Sequence, residues 1–269
     1  MSKILYGKPV AEAIYAKIDR FVSDGNKLKL YAIGGNNEQW QQYVGSLAKS
    51  CAAHGVELLR DDLTEYNADD FAERLAKAIE VGVDGVLCEQ PLPAHMKKFV
   101  ETIPEELDID CVTDKQIAKL YRGDDGMRPA TAQAVIEVLD YYGIDVCGKH
   151  VVVVGRGSAV GKPLAFMLLQ RNATVTICHS KTADLARKCR NADILVSATG
   201  RPGLITVDFV TDSTVAIDVG LSFVDGKTCG DLSEEACEKC AAYSPVPGGV
   251  GPVTRATLLA NLVKAAKTK

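Results

Sequence analysis

The stretch Val151-Val152-Val153-Val154-Gly155-Arg156-Gly157-Ser158-Ala159-Val160-Gly161 decides the fold. The valines read as a strand, the glycines as a turn, and a helix starts at about Val160. A strand, a glycine-rich turn and a helix in this order form the context of a dinucleotide fingerprint. Glycines let the backbone approach a pyrophosphate, and the free N–H groups of the helix N-terminus bind it. The spacing is G-x-G-x-x-x-G, one residue longer than the standard form. Glycine also merely makes turns, so the strand before it and the helix after it carry the reading.

The end of the next strand sets the cofactor. An NAD enzyme usually has Asp or Glu there to bind the ribose hydroxyls. Here the strand ends Ile177-Cys178-His179-Ser180-Lys181-Thr182, without a carboxylate. Ser180 donates a hydrogen bond, and Lys181 and Arg156 carry positive charge, which attracts a 2′-phosphate. NADP is therefore expected over NAD. The bland alternative is that Ser180 and Thr182 cap the next helix.

Outward from this point the alternation continues. Strands are expected at Thr174–Cys178, Ile194–Ala198 and Val215–Val219, with helices at Gly161–Gln170 and Thr182–Cys189. Before it, Thr131–Tyr142 reads as a helix. Closer to the N-terminus, strands at Leu28–Ile33, Val56–Leu59 and Gly85–Cys88 alternate with two helices. The first is capped by Asn36 or Asn37 and stopped by Gly55. The second is capped by Asn67, with Phe71, Leu75 and Ile79 on one face. Both halves predict α/β architecture with parallel, helix-covered sheets, the C-terminal one a Rossmann-like doubly wound sheet. The polar stretch Arg122-Gly123-Asp124-Asp125-Gly126 marks the domain junction. The last helix, Thr254–Ala265, follows the loop Pro245–Pro252.

Composition bounds the function. The chain has 269 residues, 47% hydrophobic and 25% charged, with a net charge of -4. That balance gives no electrostatic reason to expect nucleic acid or a membrane surface. No apolar run approaches the roughly 20 residues of a membrane span, and no secretory signal is seen, so a cytoplasmic location is expected. The nine cysteines are scattered, as suits reduced thiols. Cys237 and Cys240 form a lone C-x-x-C, read as two cysteines on a surface helix. The four histidines lack ligand spacing, and no metal is expected.

The whole set of motifs resembles the methylenetetrahydrofolate dehydrogenase/methenyltetrahydrofolate cyclohydrolase family. The resemblance rests on Tyr43-Val44, Pro91-Leu92-Pro93, Asp108-Ile109-Asp110, Pro129-Ala130-Thr131, Val154-Gly155-Arg156, Val160-Gly161-Lys162-Pro163, Ala192-Asp193-Ile194-Leu195, Ile217-Asp218-Val219-Gly220 and Pro245-Val246-Pro247-Gly248-Gly249-Val250-Gly251-Pro252. It implies two α/β domains around a cleft. Residues 1–122, joined by the C-terminal helix at about 252–269, would bind folate. Residues 123–251 would bind NADP, and a homodimer would form through the Rossmann domains. The resemblance also implies that Tyr43 stacks on the folate, that Asp110 anchors the pterin, and that Pro247, Gly248 and Gly249 line its pocket. Gly155, Arg156, Gly157, Ser180, Lys181 and Leu221 are the expected NADP contacts.

Two departures from the family pattern bear on chemistry. Where the family has the lysine that handles protons in the cyclohydrolase step, this chain has Leu47. Where it has the glutamine supporting that lysine, this chain has Glu89. Lys49 points to nearly the opposite helix face from Leu47. Gly157 also stands at the family's serine position. Hydride transfer needs orientation and electrostatics, which survive. Hydrolysis of the methenyl cation needs acid–base help, which a leucine cannot give. The expectation is a dehydrogenase with weak or lost cyclohydrolase. The rivals are a bifunctional enzyme with a substitute base, for which Glu89 is the candidate, and a silent folate- or nucleotide-binding protein. Otherwise Glu89 is a solvated strand end.

Overall fold

The computed structural model describes residues 2–64, 67–224 and 226–268. The chain opens with β1 (Lys3–Ile4) and α1 (Gly7–Ser23), neither drawn from sequence. β2 (Leu28–Gly35) then leads to α2 (Glu38–Ala53), where the Asn37 side chain accepts the Trp40 N–H at 2.9 Å. That satisfies one of the helix's orphan donors. Gly55, at φ 67, turns the chain into β3 (Val56–Leu63). α3 (Ala68–Glu80), capped by Asn67, follows, then β4 (Gly85–Cys88). These strands form a parallel sheet in the order β3-β2-β4. After the short α4 (Lys97–Val100), α5 (Asp114–Arg122) is capped by Thr113 and stopped by Gly123 in the left-handed region. α6 (Ala130–Tyr141) comes next.

The remaining elements are β5 (His150–Val154), α7 (Gly161–Gln170), β6 (Thr174–Cys178), α8 (Leu185–Arg190), β7 (Ile194–Ser197) and β8 (Val215–Asp218). They are followed by a hairpin of β9 (Ser222–Val224) and β10 (Lys227–Cys229), then α9 (Glu234–Lys239), β11 (Ala242–Tyr243) and α10 (Val250–Ala266). A six-stranded parallel sheet has the order β1-β11-β8-β7-β5-β6. Val151 to Val154 lie on β5, between β7 and the edge strand β6, and are buried, as continuous apolar strands of parallel sheets are.

Two compact units result. One holds the chain up to Ala11 with Thr131–Thr254, the other Glu12–Ala130 with the residues from Arg255 onward. The division after Ala130 falls eight residues beyond the 122/123 junction expected from sequence. Residues 123–130 stay with the three-stranded unit because Met127 N–H donates to Gln116 and Asn261 donates to the Arg128 carbonyl. The N-terminal strand belongs to the other unit because Lys3 pairs with Ala242.

Four local expectations are corrected. Ile79 is 38% exposed, and the buried stripe of α3 is Phe71, Leu75 and Ala78. Position 78 returns to within about 20° of position 71, whereas position 79 lies about 80° away. α8 begins at Leu185 rather than Thr182, because the Thr182 hydroxyl accepts the His179 N–H at 2.9 Å and closes a turn. α10 begins four residues before the expected Thr254. Pro252 falls in its first turn, where a missing N–H costs little. Cys240 is buried, just past the end of α9, so Cys237 and Cys240 are not a surface-helix pair.

Candidate functional site

In the six-stranded unit the glycine-rich turn is shaped by sterics. Gly155 has φ 131, and a side chain there would strike the Ala198 carbonyl. A side chain at Gly161 would strike the Gly155 carbonyl. Gly157 has nothing within 4 Å, so packing does not demand a glycine there. α7 starts from this turn without a side-chain cap. The Lys162 N–H is donated to the Gly157 carbonyl and Pro163 has none, so the partial positive charge of the helix end and the N–H groups of the turn are what suit a pyrophosphate.

Beside the turn lies a cavity of about 350 Å³. Gly155, Arg156 and Ser180, three of the residues expected to contact NADP, line it. Gly157, Lys181 and Leu221 are exposed and are not among its lining residues. His179, Thr199 and Arg201 also line it and were missed. The bland reading of Ser180 and Thr182 as helix caps does not hold, since Asp184 occupies the N-cap of α8.

Thr199 and Arg201 are held from a distance. Fully buried Asp231 accepts the Thr199 N–H at 2.7 Å, the Arg201 N–H at 2.8 Å and the Ser197 hydroxyl at 2.7 Å. Three donors satisfy the carboxylate and fix the cavity's rim. Nearby Asp218 is also buried, which pushes its carboxyl up to about 6 against its backbone hydrogen bonds. The segment Pro247-Gly248-Gly249 belongs to this unit. Its Gly248 carbonyl accepts the Gly7 N–H at 2.8 Å, and Gly248 has φ 107.

In the three-stranded unit, Tyr43 sits on α2 with its ring stacked 6.1 Å from that of Trp40. Burial, then the charge of Asp110, push the Tyr43 hydroxyl well above its ordinary range, while the Arg255 cation opposes them. Burial also pushes the Asp110 carboxyl up to about 7, despite the Ala130 N–H donated to it at 2.8 Å. Asp110 thus satisfies the first N–H of α6 from twenty residues upstream. The two aspartates of Asp108-Ile109-Asp110 divide their work. Asp108, fully buried, accepts from Val112 N–H, Thr113 N–H and the Thr113 hydroxyl, and so ties the turn. Asp110 is left beside Tyr43. Cys111 between them and the next helix holds φ 54, a strained position for a side chain.

Leu47 is fully buried on the apolar stripe Trp40, Val44, Leu47 and Cys51, and Lys49 is exposed on another face. Glu89 is no solvated strand end. It is half-buried, and its Oε2 accepts the Gly35 N–H at 2.6 Å while its Oε1 accepts from Asn37 at 2.5 Å. Among the described residues no group of three His, Cys, Asp or Glu could hold a metal ion, and no helix is long and apolar enough to cross a membrane.

With this geometry in hand, the comparisons define the class. Residues 129–269 match the family model for the tetrahydrofolate dehydrogenase/cyclohydrolase NAD(P)-binding domain. The chain is 40% identical to the bifunctional protein FolD of Clostridium botulinum (strain Eklund 17B / Type B), with 99% of each covered. Among solved structures, the bifunctional enzyme FolD of Campylobacter jejuni is similar with a TM-score of 0.94 at 34% identity, covering 100% of this chain and 99% of that one. The FolD of Trypanosoma brucei, complexed with NADP cofactor and inhibitor, gives a TM-score of 0.93 at 32% identity, covering 99% and 98%. This chain belongs to the tetrahydrofolate dehydrogenase/cyclohydrolase family.

Proposed function

We propose that this protein is an NADP-dependent methylenetetrahydrofolate dehydrogenase whose cyclohydrolase activity is weak or lost. The observation that carries the first part is the turn from β5 to α7. Gly155 and Gly161 stand where a side chain would strike backbone, and a cavity with Arg156 and Ser180 adjoins them. NADP, when bound there, supplies the acceptor for the hydride leaving the methylene carbon. The turn and the N-terminus of α7 hold its pyrophosphate. Arg156 and Ser180, with Arg201 at the rim, take the 2′-phosphate, and exposed Lys181, next to Ser180 in the chain, adds positive charge. In the other unit Tyr43 stacks on the folate and Asp110 accepts the pterin's N–H groups.

The second part rests on Leu47 and Glu89. Hydrolysis needs a group that takes and returns a proton, typically worth 10²–10⁴-fold. A leucine sealed in the core offers none. The Glu89 carboxylate already accepts two N–H donors, one on each oxygen, which commits it to tying β2 and the cap of α2. The names of the relatives, which are bifunctional, favour a second reading in which another group serves as base.

We also infer a homodimer through the Rossmann unit, where Phe223 and Val224 are exposed apolar side chains that a second copy would cover. We place the protein in the cytoplasm, where buried thiols such as Cys51, Cys88 and Cys178 stay reduced. The proposal is tested by mixing the purified protein with methylenetetrahydrofolate and NADP. NADPH formation that needs both substrates supports it, and no turnover overturns it.

A further inference from the structure

The second turn of α10 carries a charge, Arg255, where its pattern calls for a hydrocarbon. Leu258, Leu259 and Leu262 are fully buried. Arg255 lies three, four and seven residues before them, on the same helix face. Its Nε is buried and has no hydrogen-bond partner among the described residues. A buried N–H left unpaired costs on the order of 1–3 kcal/mol, so such a position wants an acceptor.

The same face of α10 fronts the segment that holds Asp110. Leu262 and Ile109 fill the space that a side chain on Gly85 would need. Asn261 donates to the Ile109 carbonyl at 2.8 Å. Arg255 and Asp110 both act on the Tyr43 hydroxyl, in opposite directions. Among the described residues Arg255 makes no ion pair with Asp110, whose carboxyl is held above its ordinary range by burial. A second unpaired donor lies beside the same tyrosine: Trp40 is 4% exposed, and its Nε1 has no partner among the described residues.

We propose that Arg255 is a substrate-positioning residue whose guanidinium donates to the ring carbonyl oxygen of the bound pterin while Asp110 takes the adjacent ring N–H groups. The lactam edge of a pterin presents N–H donors and a carbonyl acceptor side by side. A carboxylate and a guanidinium flanking one tyrosine match that edge, and each satisfies what the other cannot. Arginine does not deprotonate in proteins, so this residue binds and orients without replacing the lost proton-handling group. The proposal rests on reading Tyr43 and Asp110 as the folate site.

The test uses the full chain and two ligands: tetrahydrofolate, and the corresponding pteridine with an amino group in place of the ring oxygen. Affinities are measured for the unmutated protein, Arg255→Leu, Arg255→Lys and Asp110→Ala, with thermal melts and NADP affinity as controls of folding. Leucine suits the apolar stripe, so Arg255→Leu is expected to fold. It should bind tetrahydrofolate roughly tenfold or more weakly, the worth of one charged hydrogen bond. Its preference for the oxo over the amino ligand should collapse, and Arg255→Lys should keep part of it. Undiminished discrimination by Arg255→Leu, with Asp110→Ala still weakening tetrahydrofolate, overturns the role of Arg255 and leaves the folate site standing. No binding of tetrahydrofolate by the unmutated protein overturns both.

Discussion

Glu89 Oε2 accepts the Gly35 N–H at 2.6 Å, tying the end of β4 to the end of β2. Its other oxygen holds Asn37, the residue that caps α2. One carboxylate thus fixes the start of the helix that carries Tyr43 and Leu47. Glu89→Ala should destabilise the fold by about 1–3 kcal/mol, because a partly buried N–H loses its acceptor. Dehydrogenase turnover should survive within a few-fold. Urea melts alongside NADPH formation check this, and a collapse of turnover without loss of stability would instead mark Glu89 as part of the chemistry.

Cofactor choice follows from the cavity rim. Ser180→Asp puts a carboxylate where a 2′-phosphate is expected and should raise the KM for NADP at least tenfold while leaving that for NAD little changed. Arg201→Ala should weaken NADP more than NAD, because it removes a cation from the rim of the same cavity. Equal use of NAD and NADP by the unmutated protein would sink the assignment.

Asp110 gives a pH signature. Its folded-state pKa is raised to about 7, so its proton is held more tightly in the folded than in the unfolded chain. That contribution to stability is full below the ordinary carboxylate range and is lost as pH rises through about 7. Folate binding runs the other way, because the carboxylate form accepts the pterin N–H groups. Affinity for tetrahydrofolate should weaken as pH falls below about 7, and Asp110→Asn should flatten that dependence and bind more weakly at pH 8. Titrations across this range decide the matter.

Restoring the missing lysine is a harsher change than the sequence suggests. Leu47 is fully buried, and an ammonium there must find a partner or lose its proton. Leu47→Lys alone should cost several kcal/mol of stability and restore little hydrolysis. A nearby carboxylate would hold the ammonium charged, whereas a general base must be neutral part of the time. Leu47→Lys with Glu89→Gln should restore more methenyl hydrolysis than either change alone. The comparison is made by stopped-flow decay of methenyltetrahydrofolate.

Much of this molecule is legible in the chain because local signals agree with the global fold. The valines before Gly155, the cap at Asn37 and the stop at Gly55 each name their element without help. The site is less legible where it depends on remote partners. Nothing near Thr199 or Arg201 in sequence announces Asp231, which holds both. Arg255 sits inside an otherwise apolar helix pattern, and only the unpaired Nε and the neighbouring Tyr43 give it meaning. α1 is hard to read because it begins at a glycine without a cap signal, although Val10, Ile14 and Ile18 space its buried face at helical intervals.

The most direct test follows methenyltetrahydrofolate in one cuvette after methylenetetrahydrofolate and NADP are added to the unmutated protein. Methenyl should accumulate as NADPH forms, and then decay at the rate of buffer alone. Enzyme-dependent decay well above that rate would contradict the loss of cyclohydrolase, and absence of methenyl and NADPH would contradict the dehydrogenase itself.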